Sequence, residues 1–362
     1  MSDLDIKDYV FRKGAAKRIP VSGTFELTAR CNLSCKMCYV NMSKDEQDKL
    51  GAELTAQEWI ELGRQAVDAG MIYLLLTGGE PLLRPDFAQI YKSLIEMGLM
   101  ITVNTNATLM TPQIIDLFRI HRPEKVNVTL YGMSDETYGG LCGYCAGFEK
   151  ALRGIKMLKE AGVRVNLNTT FTRKNVGDLE KIVAFAKENQ IPIRMTGFIF
   201  PPVRNQHPAE DVYLSPEEMG QRAAWFDRLT LTPERLAQRQ EFIRKCLNDQ
   251  SAELEAPECS ISSCMAGRGA FWITWDGKMY PCGMLPQYEQ NVRAKGFSPA
   301  WKDTCAAADT MLVCAECKVC KYQKICPSCA AVSMSLTGES NGLARELCRR
   351  TEAYAKAFLE EM

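Results

Sequence analysis

The chain predicts an α/β fold: a parallel sheet with helices on its outside, followed by a small cysteine-rich domain. Three observations carry this. Strand-like and helix-like stretches alternate six times between Thr24 and about Phe200. A C-x3-C-x2-C run, Cys31, Cys35 and Cys38, follows the first apolar stretch. Ten of the 16 cysteines then fall between Cys259 and Cys348.

Strands are expected at 24–29, 71–77, 100–104, 125–131, 163–170 and 193–200. Amphipathic helices are expected between them at 55–69, 86–97, 111–120, 147–161 and 176–189. Repeated βα units with short connections imply a parallel sheet with right-handed crossovers. Beyond residue 201 the character changes. Ser215 before Pro216 makes a helix start, with a side-chain cap and proline in the first turn, and a long charged helical run follows. The expected organisation is an amino-terminal segment 1–22, a barrel 23–200, a helical linker 201–255, a cysteine-rich domain 256–350 and a terminal helix 351–362.

With 44 basic and 44 acidic residues among 362, the formal net charge is zero, and no like-charge block marks a nucleic-acid partner. The acidic amino terminus lacks the apolar core of a signal peptide, and no apolar run reaches the roughly 18 residues of a membrane span. A cytoplasmic protein is expected, in which cysteines serve metals rather than disulfides. With only His121 and His207, histidine chemistry has little material.

Three closely spaced thiolates can hold three irons of a [4Fe–4S] cluster and leave the fourth open to a small molecule. A structural zinc site would want four ligands, and neither a histidine nor a fourth cysteine is close in sequence. The second strand runs into Gly78-Gly79-Glu80-Pro81, where glycines let backbone approach a ligand and proline stops the strand.

The cysteine run, with Tyr39 directly after it, and the Gly-Gly-Glu-Pro segment together resemble the radical S-adenosylmethionine (radical SAM) enzymes. The resemblance implies a partial (β/α)6 barrel with its site at the carboxyl ends of the strands. It also implies SAM chelated to the open iron, with its amino group against Gly78, Gly79, Glu80 and Pro81. Tyr39, Asn104, Ser134 and Thr169 are further expected SAM contacts, and Asn106, Tyr131, Gly132, Asn168 and Thr170 share their positions at strand ends. The alternative for these polar residues is turn and cap duty.

The cysteine-rich region contains Gly277-x4-Cys282, then Cys317-x2-Cys320-x5-Cys326-x2-Cys329 and Cys348. It resembles the SPASM extension, which binds two auxiliary [4Fe–4S] clusters. Carried over by position, Cys259, Cys264, Cys282 and Cys329 would hold the first, and Cys317, Cys320, Cys326 and Cys348 the second. Cys329 departs from the family spacing by one residue, and Cys314 competes as a ligand. Zinc knuckles are the alternative for C-x2-C pairs.

The implied activity is reductive cleavage of SAM to a 5′-deoxyadenosyl radical, which abstracts hydrogen from a peptide or protein side chain, giving oxidation, cross-linking or epimerisation. A flavodoxin or ferredoxin would supply electrons, and fully ligated auxiliary clusters would transfer them. Other readings are a small-molecule dehydrogenase or epimerase, acting for example on an aminosugar, and an iron–sulfur electron carrier. In the similar sulfatase maturases an Asp after the third ligand of the first auxiliary cluster acts as base. Here Gly283 stands there and cannot take a proton. Cys145, with Cys142 near it, is the candidate hydrogen-atom donor; the alternative is a small buried hydrophobe, which also suits Cys246 and Cys305.

Overall fold

The computed structural model describes residues 6–203, 211–248, 264–311 and 314–360. Six parallel strands, β1 (Ser22–Glu26), β2 (Tyr73–Thr77), β3 (Met100–Thr105), β4 (Lys125–Thr129), β5 (Val165–Thr170) and β6 (Ile193–Thr196), lie side by side in chain order. This is the parallel α/β arrangement of a partial barrel. Its strands form because apolar residues alternate: in β2, Leu74 and Leu76 are buried while their neighbours are half-buried. The predicted sixth strand stops at Thr196, and Phe198, Ile199 and Phe200 beyond it wall a cavity.

The helices answer the same logic. In Ala56–Asp68, Trp59, Leu62, Gly63 and Ala66 face inward at helical spacing, and Thr55 with Glu58 closes a reciprocal cap at the start. Gly63 lets this helix approach its neighbour Phe87–Glu96: a Cβ there would lie 2.1 Å from Leu94. A helix at Ile6–Ala16, absent from the sequence expectation, is held by Phe11 stacked on Tyr73 and by Lys7 paired with Glu124. These partners are about 60 or more residues away, so nothing local announces it.

The cysteine-rich region extends the same sheet. The strand β7 (Ala270–Ile273) pairs in parallel with β1, Ser22 opposite Ala270, and the antiparallel strands β8 (Lys278–Tyr280) and β9 (Gln290–Asn291) continue outward. Without β7 the free edge of β1 would offer unpaired backbone groups. The helix Pro216–Thr230 packs on the terminal helix Arg345–Leu359 at Gly220, where a Cβ would lie 2.2 Å from the Arg350 carbonyl. Ile243, Ile325, Tyr354 and Phe358 complete that smaller core. No helix among the described residues is long and apolar enough to cross a membrane.

Arg84, 4% exposed at its side chain, ties the loops at the carboxyl end of the sheet. Its guanidinium donates to the carbonyls of Leu27 (2.9 Å) and Leu54 (3.0 Å) and pairs with Asp86 and Glu53. Arg84→Met would strand those carbonyls and carboxylates. It should cost about 3–5 kcal/mol, the range for removing one partner of a buried ion pair, read as a lower midpoint in anaerobic urea unfolding. An unchanged midpoint would show that the loops hold without it.

Candidate active site

The cysteine loop leaves the carboxyl end of β1, and the turn after β2 grips its entrance. The Gly79 N–H donates to the Thr28 carbonyl at 2.7 Å, and the Glu80 N–H to the Arg30 carbonyl at 2.9 Å. Both glycines are needed for this approach. A Cβ at Gly78 would lie 2.5 Å from the Thr28 oxygen, and one at Gly79 2.3 Å from the Arg30 oxygen. Pro81 opens a short 3-10 turn, and Glu80, wholly buried, receives Thr105 Oγ1 (2.8 Å), the Asn106 N–H (2.8 Å) and the Leu82 N–H (3.1 Å). The Glu80 carboxylate thus serves the fold, clamping the turn after β2 to the end of β3.

Cys31 and Cys38 open into a cavity of about 570 Å³ at the carboxyl ends of the strands. Gly78 and Gly79 line it, with Asn104 from β3, Tyr131 beyond β4, Thr169 from β5 and Tyr39 beside Cys38. Asn106, Asn168 and Thr170 line it too, whereas Gly132 does not. Ser134 does not share it: its hydroxyl caps the helix Asp135–Cys142 by accepting the Thr137 N–H. Neither Glu80 nor Pro81 is among the lining residues.

Sequence reading missed Arg194, Met195, Phe198 and Phe200, which close the far wall. Arg194 is the only lysine, arginine, aspartate or glutamate on this lining, and its guanidinium makes no ion pair or hydrogen bond among the described residues, its backbone being paired in the sheet. A cation on the last strand of an otherwise neutral wall was the available signal.

The donor set suits a thiolate-bound metal cluster. Burial, then the Glu80 carboxylate, pushes the Cys31 thiol well up. Burial raises Cys38 to about 11, and contact with the buried Cys142, then burial, raises Cys35. Three such thiols ionise readily only when a cation compensates them. Amide dipoles already point at the sulfurs. The Leu33 N–H and Asn106 Nδ2 donate to Cys31 Sγ at 3.4 and 3.8 Å, and the Asn41 N–H donates to Cys38 Sγ at 3.2 Å.

Cys142 braces this loop from behind: the carbonyls of Cys142 and Leu141 accept the Ser34 and Lys36 N–H groups. Cys145 is exposed beyond Gly143 and lies off the cavity lining.

Further cysteines influence one another in two places, while Cys246 sits in the helix Pro233–Asn248 and Cys305 in the main core. Burial, then Cys314, Cys326 and Cys348, lifts Cys317 to about 12, and Cys348 is raised by burial, Cys326 and Cys320. Cys314 is buried and donates to Glu316 Oε2 at 3.1 Å. Cys264 is raised by burial and by Cys329, which packs with Cys282 around Met284 and Leu285. Cys329 is the N-cap of the helix Ala330–Thr337, and its sulfur accepts the Val332 N–H at 3.5 Å, where helix amides favour an anion. Cys259 lies outside the described residues. A Cβ at Gly283 would lie 2.7 Å from the Trp272 ring, leaving no room for a longer side chain, and Trp272 Nε1 donates to the buried Glu26 at 2.8 Å.

The radical SAM superfamily model matches residues 25–186. The chain is 28% identical to an AdoMet-dependent heme synthase of Methanosarcina barkeri over 328 residues, 87% of this chain and 92% of that protein. It is 24% identical to a PqqA peptide cyclase of Rhizobium meliloti over 337 residues, 89% and 85% of the two. Among solved structures it resembles Streptococcus suis SuiB bound to S-adenosylmethionine. The TM-score is 0.67 and the identity 17%, over 95% of this chain and 79% of SuiB, a likeness of fold.

Burial outweighs the three hydrogen bonds at Glu80 and pushes its carboxyl from the usual 4.5 up to about 7. A raised folded-state value means that its stabilising contribution is complete below about pH 4.5 and lost as pH rises through about 7. The metal-free protein should therefore lose roughly 3 kcal/mol across that window, since each tenfold change in proton affinity is worth about 1.4 kcal/mol. Urea midpoints should fall with pH for wild type and flatten for Glu80→Gln; parallel slopes would contradict this.

Proposed function

Because the chain carries a radical SAM domain over residues 25–186, we propose that Cys31, Cys35 and Cys38 hold its [4Fe–4S] cluster and that the cavity beside them takes SAM and a substrate. One observation carries the reading: two of the three thiols and the Gly78-Gly79 turn line the same cavity.

When bound, the cluster and SAM supply reductive cleavage to methionine and a 5′-deoxyadenosyl radical that takes a hydrogen atom from an unactivated C–H bond. The protein's part is placement and exclusion. Gly78 and Gly79 present backbone at the cluster side of the cavity, while Tyr39, Asn104 and Thr169 line the space beyond. Met195, Phe198, Ile199 and Phe200 make the far wall apolar and keep water and rival hydrogens from a radical. Arg194 lines the cavity and would suit a substrate carboxylate there.

Cys259, Cys264, Cys282 and Cys329 would hold one auxiliary cluster, and Cys317, Cys320, Cys326 and Cys348 another, for electron transfer with a flavodoxin or ferredoxin. The proposal assigns Cys145 no step, since its thiol lies off the cavity. Gly283 likewise excludes the carboxylate base of the sulfatase maturases.

For substrate, the proposal is a peptide or protein side chain, supported by relatedness to the PqqA peptide cyclase. A second reading, a carboxylate-bearing tetrapyrrole, is favoured by the 28% identity to a heme synthase across 92% of that protein. Arg194 serves either.

The test is anaerobic: reconstituted protein, SAM and a one-electron reductant, with 5′-deoxyadenosine quantified by mass spectrometry. Wild type should form it and Cys38→Ala should not. Candidate peptides and iron porphyrins then form separate arms, and the true substrate class raises turnover above the uncoupled rate. Arg194→Gln should weaken that substrate by roughly tenfold to hundredfold, the worth of a hydrogen bond to a charged group, while leaving uncoupled cleavage intact. Equal product from Cys38→Ala would contradict the ligand assignment.

A further inference from the structure

Asn106 stands between the turn after β2 and the cysteine loop, and the direction of its amide is settled by its surroundings. Its side-chain oxygen accepts the Thr108 N–H at 2.9 Å and Thr108 Oγ1 at 2.6 Å. A backbone N–H can only donate, so Oδ1 must face Thr108 and Nδ2 must face the other way. There Nδ2 meets Cys31 Sγ at 3.8 Å and Asn32 Oδ1 at 3.0 Å. The Asn106 main-chain N–H is spent on Glu80 Oε2 at 2.8 Å.

The residue is 6% exposed, and the chain after it is bent to keep it so. Ala107 has φ +58, a left-handed conformation that costs a residue with a Cβ about 1–2 kcal/mol. That bend turns the Thr108 N–H back onto Asn106. A Cβ at Gly154 would lie 2.2 Å from the Ala107 carbonyl, so the neighbouring helix holds the bend in place. The structure therefore maintains a strained turn that holds the Asn106 amide nitrogen toward Asn32 Oδ1 and the Cys31 sulfur.

We propose that Asn106 is a positioning residue that sets the reduction potential of the SAM-binding cluster, donating through Nδ2 to the sulfur of Cys31. This rests on the reading that Cys31 is a cluster ligand. Reduction adds one negative charge to the cluster and its thiolates, so a donor at the sulfur stabilises the reduced form more than the oxidised form. It raises the potential and eases the electron delivery that SAM cleavage requires. Through Glu80 the same residue is joined to the Gly78-Gly79 turn, so the sulfur-directed amide and the wall of the SAM cavity belong to one hydrogen-bond network.

The test reads the potential directly. In anaerobically reconstituted full-length protein, the EPR signal that changes on SAM addition identifies the relevant cluster, and its midpoint is titrated. Asn106→Asp keeps the shape and the Thr108 bonds but turns an oxygen toward Cys31. Asn106→Ala removes the donor without a charge, which covers an aspartate that takes up a proton. Both midpoints should move to lower potential, with iron content and circular dichroism unchanged. Midpoints equal to wild type in both variants, with the SAM-sensitive signal intact, would overturn the proposal. Cys31→Ala separates the premise: if the SAM-sensitive signal survives that change, Cys31 is not a ligand and the inference falls with it.

Discussion

The site depends on a backbone contact between two neighbouring strand ends. The N–H groups of Gly79 and Glu80 donate to the carbonyls of Thr28 and Arg30, just before the first cysteine of the loop. Two adjacent glycines allow it because any Cβ would strike carbonyl oxygens. Glu80 then carries the linkage across to Thr105 and Asn106 at the end of β3, and Asn106 returns it to Cys31. A closed circuit of hydrogen bonds joins three consecutive parallel strands, and the cysteine loop hangs from it. A parallel sheet makes this possible, since all its strands end on the same side.

The second constraint is the free edge of β1. Pairing with β7 satisfies it and draws the carboxyl-terminal cysteines alongside the barrel. Trp272 of β7 is central to that junction. Its ring lies over Gly283, next to Cys282, while its indole nitrogen holds Glu26 of β1. Gly283 is the residue that lets this tryptophan close the junction. The cavity keeps Arg194 as its only fixed charge among the described residues.

Much of this is legible in the sequence. Alternation and helical spacing locate β2 to β5 and the helices around them, because those signals come from residues a few positions apart. The cysteine run and the Gly-Gly pair mark the site, and polar strand ends such as Asn104 and Thr169 reach its lining. What is not legible is long-range. The pairing of β7 with β1 joins residues nearly 250 apart, and the helix Ile6–Ala16 depends on Tyr73 and Glu124. Ser134 misleads because a hydroxyl at a strand end serves a helix start as readily as a ligand, and Asp135-Glu136-Thr137 after it carries that cap signature. Arg194 is hidden because the apolar pattern of its strand continues to residue 200. The strand in fact ends at Thr196, which leaves Arg194 at the carboxyl end facing the cavity.

The central claim is that the cluster on Cys31, Cys35 and Cys38 keeps one iron open toward the cavity and that SAM binds it there. The most direct measurement is electron–nuclear double resonance on the reduced protein with SAM labelled with ¹⁵N at the amino group or ¹⁷O at the carboxylate. The account predicts strong couplings from both labels, and their disappearance when Cys38 is replaced by alanine. No coupling from either label, in protein whose cluster is intact and whose SAM is bound, would contradict it.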